Sequence, residues 1–597
     1  MYTILTRIIF SAVLFFVTIA TYGQAFQFEP GRLSRHIHYL ASPELEGRKS
    51  GTAGDSLAAC YIRDQFQQAG LQLMETNGFQ YFSLVSDVRA GDKNALEFNR
   101  TSYTAGTDFQ PFSFSSSATV NAPVVFAGFG ISGTSGDLHW DDFQGIDIKN
   151  KWVLALRGDP EPDNSASAFI PMATDRAKAL AVKDRGAAGL LLVTPSSIDR
   201  ADQTVDISFD KSVSDAGLPV MSITRKLAAQ LLQQHVAAVD SLEKLMISVK
   251  KPASFDPGTF LNATADVIRE KAVSRNVVAM FKGSNPALSG EFVVLGAHYD
   301  HLGMGGFGSG SRMPDTVAVH AGADDNASGV ASLIELAHSF ALRPERSGRS
   351  ILFVAFGAEE MGLLGARRFV ANSPVPLSSV KAMLNMDMVG RLSADDPRLT
   401  ISGTGTFTVA DSIIDAAAAG RPFEIRKSPD GYGPSDHAAF YGEGIPVLFL
   451  STGAHSDYHT PFDLPDRINY NGQATVTSFV ESLASGISLL PSAPLFTESG
   501  SRQQTGHYGR NLKVTLGIMP DVSGAETSGG MKVEGVRNQG PAARAGMTKG
   551  DIIVAINGMT VNNVYDYMGR MGKLKPGETV NIEVIRNGKH EILIVQL

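Results

Sequence analysis

The 597-residue sequence predicts an α/β protein: a mixed, mostly parallel sheet flanked by helices, interrupted by a β-rich α/β insertion and followed by a small β-rich C-terminal module. Two observations carry this. Between Asn276 and about Leu490, near-continuous apolar runs (FVVLGA, SILFVAFGA, VKAMLNM, IPVLFLS) alternate with helical stretches such as GVASLIELAHSFAL and MGLLGARRFVA. Apolar runs of strand length without polar alternation are strands covered on both faces, the situation of a largely parallel sheet. From about Asn121 the texture changes: VVFAGFGI, WVLALR, GLLLV and LPVMSI are short β-rich runs around the helical MATDRAKALAVKDRGA.

Taken in order, residues 1–25 read as a signal peptide. The apolar run Ile8–Ala20 behind Arg7 has 13 residues, short of the roughly 20 that span a bilayer, and small residues follow at Gly23 and Ala25. The expectation is an exported protein, periplasmic or extracellular, without a stable membrane anchor. Residues 26–117 open the main unit with helical LSRHIHYLAS, a polar break ELEGRKSGTAGD, and helical SLAACYIRDQFQQAGL ending at a glycine. Residues 118–255 are the insertion and 256–492 complete the main unit. A polar linker, 493–505, leads to the module 506–597, where LKVTLGIMP, MKVEGV, GDIIVAING and VNIEVIRNG are strand-like around a helix at VYDYMGRM.

Composition narrows the chemistry. A hydrophobic share of 43% against 19% charged residues fits a folded globular chain. The net charge is -8 with no basic run, which disfavours nucleic acid as a partner. The single cysteine, Cys60, permits neither an intrachain disulfide nor a thiol-based metal site, and it falls inside a helical pattern as a packing residue. Any metal must therefore be held by histidines and carboxylates.

Those residues cluster where the predicted strands end. FVVLGA runs into His298-Tyr299-Asp300, SILFVAFGA into Glu359-Glu360, VKAMLNM into Asp387, and IPVLFLSTG precedes the loop DYHTPFD with His459. GADDNASG, with Asp324 and Asp325, lies between the first two strands. Open α/β sheets bind ligands at the carboxyl ends of their strands. Two histidines (His298, His459) and three carboxylates (Asp324, Glu360, Asp387) suit two Zn2+ ions per chain, each with one imidazole, one terminal carboxylate and a shared aspartate. Three carboxylates and a bridging hydroxide balance the metal charge, and such a pair activates water and polarises a carbonyl. Glu359, beside the ligands with no metal to bind, is placed as general base. Asp300 is expected to orient His298 through its second ring nitrogen. Asp463 either does the same for His459 or is a solvated loop acid.

The motifs HYDHLG, GADDNASG, FGAEEMGLLGA, NMDMVG and YHTPFD, in this order across residues 298–463, resemble those of the two-zinc (co-catalytic) aminopeptidases. That family includes glutamate carboxypeptidase, the transferrin receptor and, more distantly, glutaminyl cyclase. The resemblance implies a zinc-exopeptidase-like catalytic fold, ligation by His298, Asp324, Glu360, Asp387 and His459 with Asp324 bridging, and a cis peptide between Asp324 and Asp325. It also implies Glu359 as general base and hydrolysis of N-terminal residues from peptides. Tyr432, in GYGPSDHAAF, matches a tyrosine proposed to stabilise the oxyanion in some members; lining the cleft is its other reading. The insertion resembles a protease-associated domain, which would roof the cleft. The last block resembles a PDZ domain, with Leu516-Gly517-Ile518-Met519 as the loop that caps a peptide carboxylate, so a peptide or protein C-terminus is its candidate ligand.

Other signals carry less. The G-x-G-x-x-G run Gly303–Gly308 is not followed by a helix, so it is no dinucleotide site, and G-x-S-x-G is absent. His301, His320, His437 and His455 read as structural or exposed. Two alternatives stay open: carboxypeptidase or dipeptidase action on the same metals, and a non-catalytic peptide-binding scaffold.

Overall fold

A computed structural model describes residues 26–597 except 210, 212–213, 234–237, 344, 346, 500–513, 521–528 and 537–539. The expected signal peptide and residues 500–505 of the expected linker lie outside the described residues. The main sheet has nine strands. Numbered along this sheet, they are β1 (Gln72–Leu73), β2 (Phe79–Ala90), β3 (Val267–Phe281), β4 (Phe292–His298), β5 (Ser350–Phe356), β6 (Val380–Met386), β7 (Arg398–Ser402), β8 (Glu424–Ser428) and β9 (Val447–Ser451). The order is β1-β3-β5-β4-β6-β9-β7-β8, with β2 paired to β3. The central four, β5-β4-β6-β9, are mutually parallel; β3 and β7 flank them antiparallel.

The unbroken apolar runs follow from this placement. Side chains alternate across a strand. Val293, Leu295 and Ala297 of β4 face a core built with the helices Pro30–Leu40, Ala53–Gln68, Gly329–Leu342, Ala410–Ala418 and Tyr470–Ser488. Phe292 and Val294 face the opposite core with Leu364–Ala371 and His437–Tyr441. With both faces covered, successive positions 292–297 and 351–356 are apolar without alternation. The parallel strands also end together, so their C-terminal loops form one rim.

The insertion is larger than the expected 118–255. Its eight-stranded sheet draws on strands from Ala95–Phe98 through to Phe260–Ala265, and Leu96, Phe98, Phe109, Leu261 and Ala263 share its core. The flanking strands are short and carry Thr, Ser, Gln and Asn, so their sequences lack the apolar texture that marks the centre of the unit. It is joined to the main sheet by the long antiparallel ribbon of β2 and β3.

The C-terminal module is a six-stranded sheet with the helix Val564–Met571 over its core. That helix faces the insertion. Arg570, fully buried, donates both terminal nitrogens to Asp184, and Lys183 Nζ lies 3.0 Å from Asp566 Oδ2. No helix among the described residues is long and apolar enough to cross a membrane.

Candidate active site

Three of the parallel strands deliver acids or imidazoles to one point. His298 ends β4; its Nδ1 meets the backbone carbonyl of Asp300 at 3.1 Å, which leaves Nε2 to face Asp325 Oδ1 at 3.2 Å and Asp387 Oδ1 at 3.5 Å. Asp387 follows β6. Glu360, following β5, and Asp325 face His459 Nε2 at 3.2 and 3.1 Å. His459 arrives on the loop after β9, held by its Nδ1 to Gly310 O at 3.1 Å. Asp325 thus stands between two donor sets, with one carboxylate oxygen toward each.

The sequence expectation that Asp324 bridges is therefore corrected: the residue between the two sets is Asp325, and the cis peptide joins Asp325 and Asn326. Its neighbours are turned to other tasks. Asp324 Oδ1 accepts the Gly390 amide at 2.7 Å, while Oδ2 stands 3.3 Å from His455 Nε2. Asn326 takes the amide of Gly329 at 3.0 Å and donates to Met386 O at 3.0 Å. The residues before and after Asp325 tie its loop to the end of β6, and Asp325 alone faces the donors.

Two orienting roles also differ from expectation. The Asp300 carboxylate stands 3.8 Å from His298 Nδ1, beyond hydrogen-bond reach, and it is the backbone carbonyl of Asp300 that holds the ring. The carboxylate accepts the Glu359 amide at 2.9 Å, the Glu360 amide at 3.3 Å and the Ser50 hydroxyl at 2.9 Å, and so positions the Glu359-Glu360 pair. Asp463 does not touch His459. Its Oδ2 accepts the amides of Asp324 and Asp325 at 2.9 and 3.0 Å, and Oδ1 takes Arg391 at 3.0 Å. In both cases a backbone carbonyl, invisible in sequence, is the partner of the imidazole.

Arg48, from the LEGRKSG segment, locks the rim from beneath. Fully buried, it donates to the carbonyls of Tyr299 (2.7 Å), Ala321 (2.8 Å), Gly322 (2.9 Å) and Leu40. One guanidinium thereby fixes the HYDH and GADDN loops to each other. The backbone is held in the left-handed region at Ala358, Met388 and His459, each next to or within the donor set (φ 57°, 59° and 56°). Non-glycine residues adopt that region when surrounding structure imposes it, as at functional sites.

Electrostatics sort the acids. Burial pushes the Glu359 carboxyl well above the usual range, with Glu360, Asp436 and Asp387 adding to the rise and His298 opposing it. Burial also opposes ionisation of Asp325, yet the imidazoles of His301, His298 and His459 hold it well below the ordinary value. Glu360 is likewise held low against burial and Asp325 by His301 and His459. Buried oxygens Asp325 Oδ2, Glu360 Oε1 and Asp387 Oδ1 have no hydrogen-bond partner. Buried polar atoms are otherwise nearly always satisfied, so orphans converging on one point fit a cation between them. The donor set fits two: His298, Asp325 and Asp387 on one side, Asp325, Glu360 and His459 on the other.

Sequence reasoning missed two residues. His301 lies in the donor cluster, with Nδ1 3.0 Å from Glu360 Oε1. Tyr458 stacks on His459 with ring centroids 3.9 Å apart, and its hydroxyl is raised by burial and then by Asp325, Glu360, Asp387 and Glu359. Both lie inside the motifs HYDHLG and YHTPFD, the one signal that marks them. Tyr432, by contrast, packs edge-on against Tyr441 at 4.5 Å within the apolar cluster behind the sheet. His320, bonded through Nε2 to Ser311 at 2.8 Å, and His437, stacked on Phe449 at 4.5 Å, are structural as expected.

A cavity of about 340 Å³ opens beside Glu360 and His301, lined also by Lys49, Met304, Phe307 and, from the insertion, Lys211. Lys211 Nζ donates to Glu360 O at 2.7 Å, so the insertion covers one side of the donor cluster.

Residues 276–484 match peptidase family M28 and residues 514–597 match the PDZ domain. An aminopeptidase of Pseudomonas aeruginosa is 25% identical over 432 residues, 70% of this chain and 68% of that protein. The aminopeptidase YwaD of Bacillus subtilis is 27% identical over 360 residues, 59% of this chain and 63% of that one. Among solved structures, an aminopeptidase from Aneurinibacillus sp. strain AM-1 aligns at 21% identity with a TM-score of 0.47, over 79% of this chain and 95% of that one.

Proposed function

For a chain whose residues 276–484 match peptidase family M28 and whose residues 514–597 match the PDZ domain, we propose an exported metallopeptidase, an aminopeptidase that works with two zinc ions per chain. The observation that carries this is the convergence of unpartnered buried donor atoms beside Glu359, a partly buried glutamate whose carboxyl is raised well above the usual range. His298, Asp325 and Asp387 would hold one zinc, and Asp325, Glu360 and His459 the other. Zinc held there supplies Lewis acidity, which acidifies water and polarises a scissile carbonyl.

The chain's own residues do the rest. Glu359 takes the proton of the attacking water and returns it to the leaving amine; its raised affinity for a proton suits both directions. Asp300 keeps Glu359 in place through the Glu359 amide. The surplus of buried acid around the cluster, with both oxygens of Asp436 unpartnered, favours a substrate that brings a cationic amino terminus. Tyr458, next to the carboxylates, is better placed than Tyr432 to donate to the carbonyl oxygen. The insertion, acting as the protease-associated roof its sequence suggests, restricts entry through the Lys211 side. Export rests on the Ile8–Ala20 run, and the PDZ domain's candidate ligand is a peptide C-terminus.

The test is a panel of free and N-acetylated aminoacyl substrates, with and without chelator, for the parent and Glu359→Ala. Cleavage of the free-amine forms alone, abolished by chelator and by Glu359→Ala with zinc content retained, is the expected result. Equal cleavage of blocked substrates overturns the aminopeptidase reading, and near-normal kcat in zinc-loaded Glu359→Ala overturns the base.

A further inference from the structure

We propose that His301 is a sixth protein ligand of the zinc pair, on the Glu360 side, so that the two zinc sites are unequal. The proposal deepens the two-zinc reading above and rests on it. Donors arranged tetrahedrally around zinc at about 2.0–2.2 Å stand roughly 3.3–3.6 Å apart. His301 Nδ1 lies 3.0 Å from Glu360 Oε1 and 3.7 Å from Asp325 Oδ2, and His459 Nε2 lies 3.2 and 3.1 Å from the same two oxygens. Two imidazoles thus straddle one pair of carboxylate oxygens at the spacing of a four-donor shell. Their rings meet edge to face, with centroids 5.7 Å apart.

Three further observations point the same way. The His301 side chain is fully buried, yet neither ring nitrogen has a hydrogen-bond partner. Burying an imidazole unpaired is costly unless something else takes its lone pair. The fold also makes room for this ring. Gly322 has φ +55°, and a Cβ there would come within 2.6 Å of the His301 ring and 2.3 Å of Asp325 O. Finally, the His301 amide donates to Arg48 O at 3.2 Å, on the residue that fixes both ligand loops.

The consequence is an asymmetric pair. The Glu360 side would have four protein donors, His301, His459, Glu360 and the shared Asp325, and would be filled as a structural zinc site is. The Asp387 side would keep three, leaving the open position that substrate chemistry needs. Zinc should therefore be held more tightly on the Glu360 side.

The experiment is zinc titration of the metal-free full-length protein against a chromophoric chelator, for the parent, His301→Ala and Asp387→Asn. It is joined by the visible and near-ultraviolet spectrum of Co2+-loaded His301→Cys. The expected result is two zincs of separated affinity in the parent. His301→Ala should weaken the tighter one by more than about 10-fold, the smallest loss that even an outer partner of a ligand causes, and Asp387→Asn only the weaker one. A thiolate at 301 bound to Co2+ should give an intense sulfur-to-metal charge-transfer band, which a residue merely hydrogen-bonded to Glu360 cannot produce. Unchanged affinities in His301→Ala, or a Co2+-loaded His301→Cys without that band, overturns the sixth ligand while leaving the two-zinc reading intact. A parent chain that binds fewer than two zincs overturns the two-zinc reading itself.

Discussion

Arg48→Lys tests whether the ligand loops owe their geometry to a single buried fork. The substitution keeps the charge and shortens the reach. The arginine satisfies four carbonyls from three segments in a site closed to water. An ammonium has three donors and no planar fork, so one or two of these carbonyls go unmet. An unsatisfied buried acceptor costs roughly 1–3 kcal/mol, which puts the loss near 2–4 kcal/mol. At about 2–4 °C per kcal/mol for a domain of this size, Tm should fall by roughly 5–15 °C. Burial lowers the Arg48 pKa to about 10, so the native residue is charged at neutral pH and charge loss does not enter the comparison. Calorimetry on zinc-loaded and chelated protein, with zinc content measured in parallel, reads both consequences. Freed loops should also release zinc at lower chelator concentration. A variant that melts within about 2 °C of the parent and keeps its zinc refutes the clamp.

Three further outcomes follow from the same geometry. Burial pulls His437 down to about 3 from 6.5, so between those values the unfolded chain binds a proton that the folded chain refuses. Its stabilisation is complete above about pH 6.5 and is lost as pH falls toward 3; from pH 7.5 to 5 the loss is about 2 kcal/mol. Urea unfolding at those two pH values should show a shallower decline for His437→Phe, and equal declines would contradict the assignment. Asp184→Asn strips the fully buried Arg570 of its counter-charge and should cost roughly 2–4 kcal/mol of contact between insertion and C-terminal module, seen as a larger radius of gyration in X-ray scattering; an unchanged radius argues against the contact. Lys211→Met removes the donor to Glu360 O and should lower kcat/KM about 3–10-fold, the worth of one hydrogen bond of roughly 1 kcal/mol, with zinc content unchanged; unchanged kinetics exclude a role for the insertion at the cleft.

The sheet and the ligand-bearing strand ends were legible because both have local causes. Strands covered on two faces must be apolar along their length, as residues 292–297 and 351–356 are, and parallel strands present their C-terminal ends on one rim. The same reasoning places His298, Glu359, Glu360, Asp387 and His459 together. It failed at the edges of the insertion, where Thr101–Tyr103 and Phe109–Pro111 pair at the margin and carry no apolar signature.

Which residue does what within the rim is another matter. Asp324 and Asp325 are identical in type and adjacent in sequence, so spacing holds no information about which turns inward. The amide of Gly390 and the imidazole of His455 claim Asp324, and Asp325 is left facing the donors. Asp300 and Asp463 hold backbone amides instead of imidazoles, because backbone groups compete for carboxylates without leaving any trace in residue identity. Composition excluded thiols, and residue pattern determined the sheet and the pool of His, Asp and Glu at its rim. Assignment within that pool, Asp325 over Asp324 and His301 among the donors, was decided by hydrogen bonds and open space between segments far apart in sequence, which only the folded chain brings together.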